Sequence, residues 1–532
     1  MSSNLNLTPE SAHAALRKKK ISKVTGIILC ILQILGCTAL MTLLIRLNVL
    51  PIKYVIAGGV VLALISFYNL FSQFTKVRWL GKVLAVLLII LSIIGVLYLN
   101  KTYNALNQVS GNKVETTDIA IIVNSNDSAQ TLADAKKYSF GYVADFDTEN
   151  TNKAITEVNN RLGSGSDIMT VAYKSFDELQ TALYNKQVQA IFMNESMRYK
   201  MEEIDADFST KTRVLDKVTI TKELKEAVKK SADEPFALYI AGNDEEGALV
   251  SSGRNDVNLL AVVNPKSHQI LLITTPRDSY VDILQNDDAG TIAKDKLTHA
   301  GIYGVEHSMD ALNRLYGIQP DYYFRLNFTG CVGIVDALGG ITIDSKVEFT
   351  TTPDTWPDPI HFEIGENKVD GIEALAFCRE RKAFARGDFQ RGENQMVVMQ
   401  AIIDKVSSPD ILTHYMQVLD AIDDMFVTSM PSEKITELAR TTLNSTEGWN
   451  VQTYSAQAAS TGSAYSALEK MNLSMVFLND DSIKIAKEMV AKINNGEKFD
   501  VDAYSESRMA QLKEASKAGT ATTKAATTVK AQ

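Results

Sequence analysis

Residues 376–395 read AFCRERKAFARGDFQRGENQ, and the soluble part of the chain is organised around this stretch. Its first six residues, 376–381, are partly apolar and predict a short strand. Because side chains alternate between the two faces of a strand, Arg379 and Arg381 would then share one face. The stretch as a whole concentrates positive charge in five side chains: Arg379, Arg381, Lys382, Arg386 and Arg391.

A helix is predicted after the break at Gly387. Asp388 is a suitable N-cap, and the helix would run through residues 396–403. Arg391 and Gln395 are four residues apart, so they would lie on one side of its first turns.

The residue types in this stretch are those that bind phosphate. Helix N-termini attract anions, and guanidinium groups bind phosphate through paired hydrogen bonds. The stretch therefore predicts a site for a multi-oxygen anion such as pyrophosphate. The alternative from these residues alone is a solvated surface on which the cations pair with neighbouring carboxylates. Those carboxylates are Glu380, Asp388 and Glu393.

Charge is distributed unevenly along the 532 residues, whose net charge is −9. Residues 1–101 contain eleven Lys and Arg but one acid, Glu10, and these charges flank long apolar runs. Charges that flank long apolar runs are typical of membrane-spanning segments. No nucleic-acid partner is expected, because residues 1–23 are too short for a folded DNA-binding domain. The acidic remainder argues against a general polyanion-binding surface, which makes the local arginine cluster more informative.

Three uncharged apolar runs, at 24–45, 54–75 and 83–100, are each long enough to cross a bilayer. Their tight succession argues against a cleaved signal peptide. Lys and Arg are enriched on the cytoplasmic side of membrane proteins. If the chain crosses the membrane three times, most of its Lys and Arg near the spans fall on the same side as the N-terminus. We therefore predict a multi-pass protein of the cell membrane, with residues 1–23 cytoplasmic, three helices in 24–100, and everything after Lys101 extracytoplasmic.

The rest of the chain is predicted to contain a connector at 101–117, two α/β units and a tail. From 118 to 231 short apolar runs alternate with helix-like polar segments, which is typical of a small accessory α/β domain. A larger domain at 236–495 opens with the apolar run at 236–241, and two buried strands are predicted at 259–263 and 269–275. A helix, a glycine turn and a strand are predicted at 330–343, a further strand at 475–478 and a helix at 482–493. The tail, 505–532, is low in complexity and is expected to be disordered.

Cysteine usage is sparse and shows no metal-ligand spacing. Cys30 and Cys37 lie within the first apolar run. Cys331 and Cys378 could form a disulfide if the soluble part faces an oxidising compartment.

Six segments, in this order, together resemble the LytR-CpsA-Psr phosphotransferases of Gram-positive cell envelopes. They are AGNDEEG (241–247), SGRNDVNLLAVV (252–263), ITTPRDSYV (273–281), DKLTHAGIYG (295–304), VDALGGITID (335–344), and DGIEALAFCRERK with QRGENQ (370–395). Three spans followed by an extra domain resemble the CpsA-type subset. The resemblance implies an α/β fold in which an α/β/α sandwich catalytic domain contains an apolar pocket for a polyprenyl tail.

The same resemblance implies a reaction and its partners. The family transfers a glycopolymer from undecaprenyl pyrophosphate onto a peptidoglycan hydroxyl, leaving a phosphodiester link. For this chain the polymer would be capsular polysaccharide, with teichoic acid as the alternative. The expected partners are the lipid-linked polysaccharide, peptidoglycan, the membrane and other capsule assembly proteins. Splitting a pyrophosphate requires positive groups at the phosphoryl oxygens.

Site residues are carried over position by position. Asp244 and Asp256 match metal-binding aspartates, which implies Mg²⁺ or Mn²⁺ as cofactor, although a cap or turn role is the alternative from spacing alone. Arg277 and Asp256 are the expected catalytic residues, and Asp278 is either a base for the acceptor hydroxyl or a partner that orients Arg277. The expected pyrophosphate-binding residues are Arg254, Arg379, Arg381, Arg391, Gln395 and, as a weaker candidate, Lys296.

Three other functions stay open at this point. Water could take the place of the acceptor hydroxyl, which would make the protein a lipid-pyrophosphate phosphatase. A membrane-anchored regulator of capsule expression would not depend on Arg277. A binding module would hold the lipid-linked polymer without turning it over.

Overall fold

The computed structural model describes residues 9–163, 167–243, 252–286, 290–407, 414, 417–418, 426–445 and 448–529. The chain divides into two compact units. The first comprises Met1–Ser110, Tyr415–Asp423 and Pro431–Gly448. The second comprises Gly111–His414, Asp424–Met430 and Trp449–Gln532.

The first unit is helical, with α1 (Pro9–Leu47), α2 (Ile52–Ser72), α3 (Arg78–Val109) and, later in the chain, α13 (Ser432–Asn444). Segments Arg17–Leu47, Ile52–Ser72 and Arg78–Val109 are long and apolar enough to cross a membrane, which confirms the prediction of three apolar helices. Gln33 hydrogen-bonds to Ser66 and Asn69 at 2.8 Å and so links α1 to α2.

The accessory part of the second unit is a five-stranded sheet in the order β3-β2-β4-β1-β5. Its strands are β1 (Val114–Asn124), β2 (Ser139–Val143), β3 (Met169–Tyr173), β4 (Ala190–Asn194) and β5 (Thr212–Glu223). Its helices are α4 (Thr148–Leu162), α5 (Phe176–Tyr184), α6 (Arg198–Ile204) and α7 (Phe208–Lys211). Ile121 and Ile122 of β1 enter core clusters on opposite faces, so this strand is a continuous apolar run.

The main part contains a six-stranded mixed sheet in the order β16-β11-β6-β7-β8-β17. Its strands are β6 (Phe236–Asn243), β7 (Val257–Asn264), β8 (Gln269–Thr274), β11 (Tyr322–Asn327), β16 (Phe426–Thr428) and β17 (Asn450–Ser455). Four two-stranded sheets pair β9 (Tyr280–Asn286) with β10 (Thr291–Lys296), β12 (Ile341–Ser345) with β15 (Gly365–Val369), β13 (Phe349–Thr350) with β14 (His361–Phe362), and β18 (Ala458–Ser466) with β19 (Met471–Leu478).

Helices cover both faces of the main sheet because its strands are apolar on both sides. Tyr239 and Leu260 pack on one face with α8 (Leu297–Tyr303), α9 (Val305–Tyr316), α14 (Asp480–Asn494) and α15 (Val501–Val529). Their neighbours Ile240 and Leu259 pack on the other face with α12 (Asp388–Ser407). Helix α12 contacts α11 (Gly371–Arg379), which in turn contacts α10 (Phe328–Ala337). The expected α/β/α sandwich is confirmed.

The predicted strand at 376–381 is wrong, because these residues belong largely to α11. A capping box begins the helix upstream: the Asp370 side chain accepts from the Glu373 N–H at 2.9 Å, and the Glu373 carboxylate accepts from the Asp370 N–H at 3.0 Å. Arg379 therefore ends a helix, and Arg381 follows in a loop instead of sharing a strand face with it.

The ends of the soluble part also differ from expectation. The predicted connector at 101–117 is largely taken up by the end of α3 and the start of β1. The predicted disordered tail coincides with α15, in which Tyr504, Met509 and Leu512 pack on the main core and Arg508 pairs with Glu488 at 2.8 Å. These apolar contacts make the prediction of disorder wrong for residues 505–512. Residues 530–532 lie outside the described residues.

Candidate active site

A cavity of about 290 Å³ lies where the carboxyl ends of the parallel strands β6 and β11 meet helices α10, α11 and α12. Such strand ends are a common place for ligand sites in open α/β sheets. Its apolar lining includes Ile240, Val257, Leu259, Leu326, Leu375, Val398, Met399 and Ile402. The cavity therefore has a floor suited to a hydrocarbon chain.

The polar lining coincides with the site predicted from the sequence. Seven of the nine predicted site residues line this cavity: Arg254, Asp256, Arg277, Arg379, Arg381, Arg391 and Gln395. Asp244 lies outside the described residues. Lys296 is not among the described residues that line the cavity. The chemical roles of these side chains stay predictions.

Asp256 and Arg277 form the central ion pair. Arg277 Nη1 donates to Asp256 Oδ1 at 2.6 Å, and both side chains are largely buried. Burial by itself would raise the pKa of Asp256, but the positive charges of Arg277, Arg391 and Arg254 outweigh it and lower that pKa. Asp256 is therefore an ionised carboxylate surrounded by guanidinium groups.

Local backbone structure sets the position of both partners. Pro276, which has no N–H to donate to the ladder, follows β8 and precedes Arg277. The Arg277 carbonyl then accepts from the Thr298 N–H at 2.9 Å, and the Asp256 N–H donates to the Gly242 carbonyl at 2.8 Å. These bonds hold Arg277 and Asp256 at neighbouring strand ends.

Helix α12 carries Arg391 and Gln395, both buried, into the cavity. The helix approaches the sheet closely at Gly392, where an added Cβ would lie 3.1 Å from Thr274 Oγ1. Asn394 Nδ2 donates to the Phe377 carbonyl at 3.2 Å and ties α12 to α11. The predicted sharing of one helix side by Arg391 and Gln395 is confirmed.

The loop after α11 is held by Glu380, which is fully buried. Its carboxylate accepts from the N–H groups of Thr352 at 2.6 Å, Arg381 at 2.8 Å and Ala383 at 3.0 Å. Although burial raises the pKa of Glu380, hydrogen bonds from the Thr352 and Ala383 backbone outweigh it and lower that pKa. Glu380 thus shapes the loop that presents Arg381.

Arg386 lies on the surface, as the alternative interpretation of residues 376–395 predicted. It is exposed, pairs with Glu393 at 2.8 Å, and is not among the described residues that line the cavity. The solvated-surface interpretation is therefore right for this arginine, whereas Arg379, Arg381 and Arg391 line the cavity.

Lys296 and Asp278 form a separate pair beside the site. Lys296 Nζ lies 3.0 Å from Asp278 Oδ1, and Arg277 Nε lies 3.9 Å from the same oxygen. Asp278 thus holds the Lys296 ammonium group, and a direct contact of Lys296 with pyrophosphate stays a prediction. The arrangement favours the orienting role of Asp278 over the role of a base.

Sequence reasoning missed several residues of the cavity wall: Asn243, Asn327, Asp354 and Thr355. Asn243 directly precedes Asp244 in the segment AGNDEEG, so its position was a usable signal. Asn327 Oδ1 caps α10 by accepting from the Gly330 N–H at 2.7 Å. Asp354 comes from a distant loop, where it pairs with Lys382 at 2.5 Å, and has no local signature.

Both soluble-part cysteines line the cavity as free thiols, so the structure contains no disulfide between Cys331 and Cys378. Burial raises the pKa of Cys331 to about 11. Burial, followed by the neighbouring Cys331, also raises the pKa of Cys378. Both groups are therefore neutral and add to the apolar part of the lining.

Two oxygen-bearing side chains of the cavity fit a hard divalent cation. Asp256 is ionised, and Asn243 Oδ1 is buried with no hydrogen-bond donor among the described residues. Mg²⁺ takes carboxylate and amide oxygens together with phosphate and water oxygens. The predicted ligand Asp244 follows Asn243 in the chain but lies outside the described residues.

Fold and site together define a class of protein: an α/β/α domain with an amphiphilic, cationic cavity at its strand ends. The chain matches the model of the LytR_cpsA_psr family over residues 197–482, and it belongs to that family. This confirms the resemblance drawn from the sequence motifs.

Curated and solved proteins are also similar to part of the chain. It is 33% identical over 216 residues to the polyisoprenyl-teichoic acid–peptidoglycan teichoic acid transferase TagU of Bacillus mycoides, covering 40% of this chain and 67% of the relative. It is 31% identical over 223 residues to TagU of Enterococcus faecalis, covering 42% and 70%. Among solved structures, B. subtilis TagV is 22% identical with a TM-score of 0.41, covering 49% of this chain and 98% of TagV.

Proposed function

We propose that this protein is a membrane-anchored glycopolymer transferase that moves a polymer from a polyprenyl-pyrophosphate carrier onto peptidoglycan through a phosphodiester bond. The observation that carries the proposal is the combination, in one cavity, of an apolar floor with five arginines. The names of the curated relatives, polyisoprenyl-teichoic acid–peptidoglycan transferases, support it.

The cavity matches the two halves of such a donor. Leu259, Val398 and Met399 offer apolar surface to the polyprenyl chain. Arg277 and Arg391 offer planar, permanently charged donors to the pyrophosphate. A ligand with only one of these halves would leave the other part of the lining without a partner.

In the reaction, an acceptor hydroxyl attacks the phosphorus that carries the polymer. A new P–O bond forms to the acceptor, the bridging P–O bond breaks, the hydroxyl proton leaves to solvent or a base, and polyprenyl phosphate departs. The arginines stabilise the negative charge that develops on the phosphoryl and leaving oxygens. Asp256 keeps Arg277 in position until the pyrophosphate competes for its donors.

The proposed cofactor is Mg²⁺ or Mn²⁺. Asp256 and Asn243, with Asp244 from the sequence, would hold it, and when bound it would supply further positive charge to the pyrophosphate. Asp256 is itself an anion, so an anionic donor beside it requires neutralising charge, and the arginines provide part of this.

The proposed location follows from the three apolar helices. The basic residues 17–20 in the first half of α1, and Lys76 and Arg78 at the connection from α2 to α3, favour the cytoplasm. The catalytic domain is therefore extracytoplasmic in a multi-pass arrangement. Capsular polysaccharide is the proposed polymer because three spans with an added domain resemble the CpsA-type arrangement. Teichoic acid, from the names of the relatives, is the second candidate.

The test is transfer by full-length protein in detergent, with a lipid-pyrophosphate oligosaccharide as donor and a peptidoglycan fragment as acceptor. Wild type, Arg277→Ala and the control Arg386→Ala are compared with and without Mg²⁺. A linked product that requires Arg277 and the cation, but not Arg386, supports the proposal. Free polymer as the product would instead identify a phosphatase, and tight donor binding without turnover would identify a binding or regulatory protein.

A further inference from the structure

We propose that Tyr199, on the accessory helix α6, is a positioning residue that holds the Arg254 guanidinium at the cavity. This inference rests on the proposed function, because it concerns the same pyrophosphate-binding cavity. It makes the accessory part a contributor to the site and not a spacer alone.

The contact is a cation on an aromatic face. Arg254 Cζ lies 3.8 Å from the centroid of the Tyr199 ring, and Arg254 lines the cavity. A ring face attracts the guanidinium through the ring quadrupole, so the contact positions the group without a hydrogen bond from the ring. The ring thereby restricts the long Arg254 side chain before the ligand binds. Less rotamer freedom is then lost on binding.

Tyr199 is itself anchored at its hydroxyl end. The hydroxyl donates to Glu469 Oε1 at 3.4 Å, in the turn between β18 and β19. The largely buried Glu469 carboxylate also pairs with Lys200 at 2.7 Å and lies 3.6 Å from His299 Nε2. Burial raises the pKa of Tyr199, so its phenol stays neutral. The ring is therefore fixed against the main part of the unit.

A second contact holds the accessory sheet in place. Glu115 of β1 pairs with Arg325 of β11 at 2.7 Å, and both side chains are at most 5% exposed. The Glu115 carboxylate also accepts from the Val305 N–H at 3.0 Å. Strand β11 ends in Leu326 and Asn327 of the cavity wall, so the accessory part is tied to the strand that forms the site.

Loss of the ring should loosen Arg254 and weaken pyrophosphate binding. Cation–π contacts of this kind correspond to about a 2- to 30-fold change in an equilibrium constant. The effect should depend mainly on the ring, whose face contacts the guanidinium, and less on the hydroxyl, whose 3.4 Å bond to Glu469 adds to the anchoring.

The experiment measures binding of geranylgeranyl pyrophosphate to the full-length protein in detergent by isothermal titration calorimetry. Tyr199→Leu should weaken binding about tenfold, whereas Tyr199→Phe should stay within about twofold of wild type. Tyr184→Leu is the matched control, because Tyr184 packs on the same accessory core cluster and is not among the described residues lining the cavity. It should bind as wild type does.

A double variant separates positioning from stability. If Tyr199 acts through Arg254, Tyr199→Leu should change the affinity less than about twofold in an Arg254→Ala background. Full additivity, or equal losses in Tyr199→Leu and Tyr184→Leu, would overturn the inference. Tyr199→Met, which fills the space with a flexible apolar chain, replaces Tyr199→Leu if that variant melts early.

Failure of the inference and failure of the proposed function are distinguishable because binding is measured without an acceptor. Wild-type protein that binds the probe but transfers nothing would contradict the proposed function, and Tyr199 would still be judged by the affinities. Wild-type protein that does not bind the probe would overturn both.

Discussion

Arg277 Nη1 lies 2.6 Å from Asp256 Oδ1, so the two expected catalytic residues are paired with each other inside the cavity. The pair joins the end of β8 to the start of β7. A pyrophosphate entering the cavity must compete with Asp256 for the Arg277 donors, and the other arginines around Asp256 offset the resulting repulsion.

Arg277→Ala should reduce transfer by about 10²–10³-fold, because a donor aimed at developing charge is lost. It should also lower the free energy of unfolding by roughly 1–3 kcal/mol, since Asp256 loses its charged partner. Transfer assays and denaturant unfolding measure the two effects. Arg386→Ala is the control, and equal activity in both variants would exclude Arg277 from the reaction.

Asp256→Asn should raise the Mg²⁺ concentration for half-maximal transfer about tenfold, because an amide binds the cation more weakly than a carboxylate. Asp354→Asn is the control within the same cavity, since Asp354 pairs with Lys382 on the exposed side. A metal titration unchanged by Asp256→Asn would count against Asp256 as a ligand.

The pH dependence of stability should reveal the charge on Asp256. Its pKa is lower in the folded protein than in the unfolded chain, so the ionised form stabilises the fold. This stabilisation should be complete above about pH 4 and should be lost as the pH falls through the folded pKa. Melting curves of wild type and Asp256→Asn should therefore differ by a constant amount near neutrality and converge in acid. A difference that grows in acid would contradict the lowered pKa.

Cys331 and Cys378 should react slowly with a maleimide at pH 7, in a variant whose Cys30 and Cys37 are replaced by Ser. The raised pKa values keep both thiols protonated, so the rate should increase about tenfold per pH unit towards the Cys331 pKa of about 11. Because both line the cavity, geranylgeranyl pyrophosphate should slow labelling. Complete resistance that a reductant relieves would instead indicate a disulfide.

Truncation after Lys517 should leave the melting temperature nearly unchanged. Truncation after residue 499 should lower the free energy of unfolding by more than about 2 kcal/mol, because it removes the buried Val501 and the apolar side chains of α15. Circular dichroism melts of both truncated proteins measure the difference. Equal stability would show that α15 adds nothing to the core.

Much of the fold could be predicted from local pattern. The three apolar helices, strands β7 and β8 and the helix after Gly387 follow from length, apolar runs and turn residues, which act over short distances. Helix α11 was missed because its start depends on Asp370 and Glu373, upstream of the segment that suggested a strand. Helix α15 in the tail was not predicted because its few apolar residues favour order only where they pack on the core.

The candidate site, like the fold, could be predicted from local pattern only in part. Motifs and their order are local properties of the chain, so they were enough to select the candidate arginines and carboxylates. Folding of distant segments brings Arg254 and Arg277 to Arg391 at one set of strand ends, and it places Lys296 beside Asp278 outside the cavity. The stacking of Tyr199 on Arg254 likewise arises from packing of helix α6 on the segment that precedes β7. Contacts between distant segments depend on how faces pack, and no short-range pattern encodes that packing.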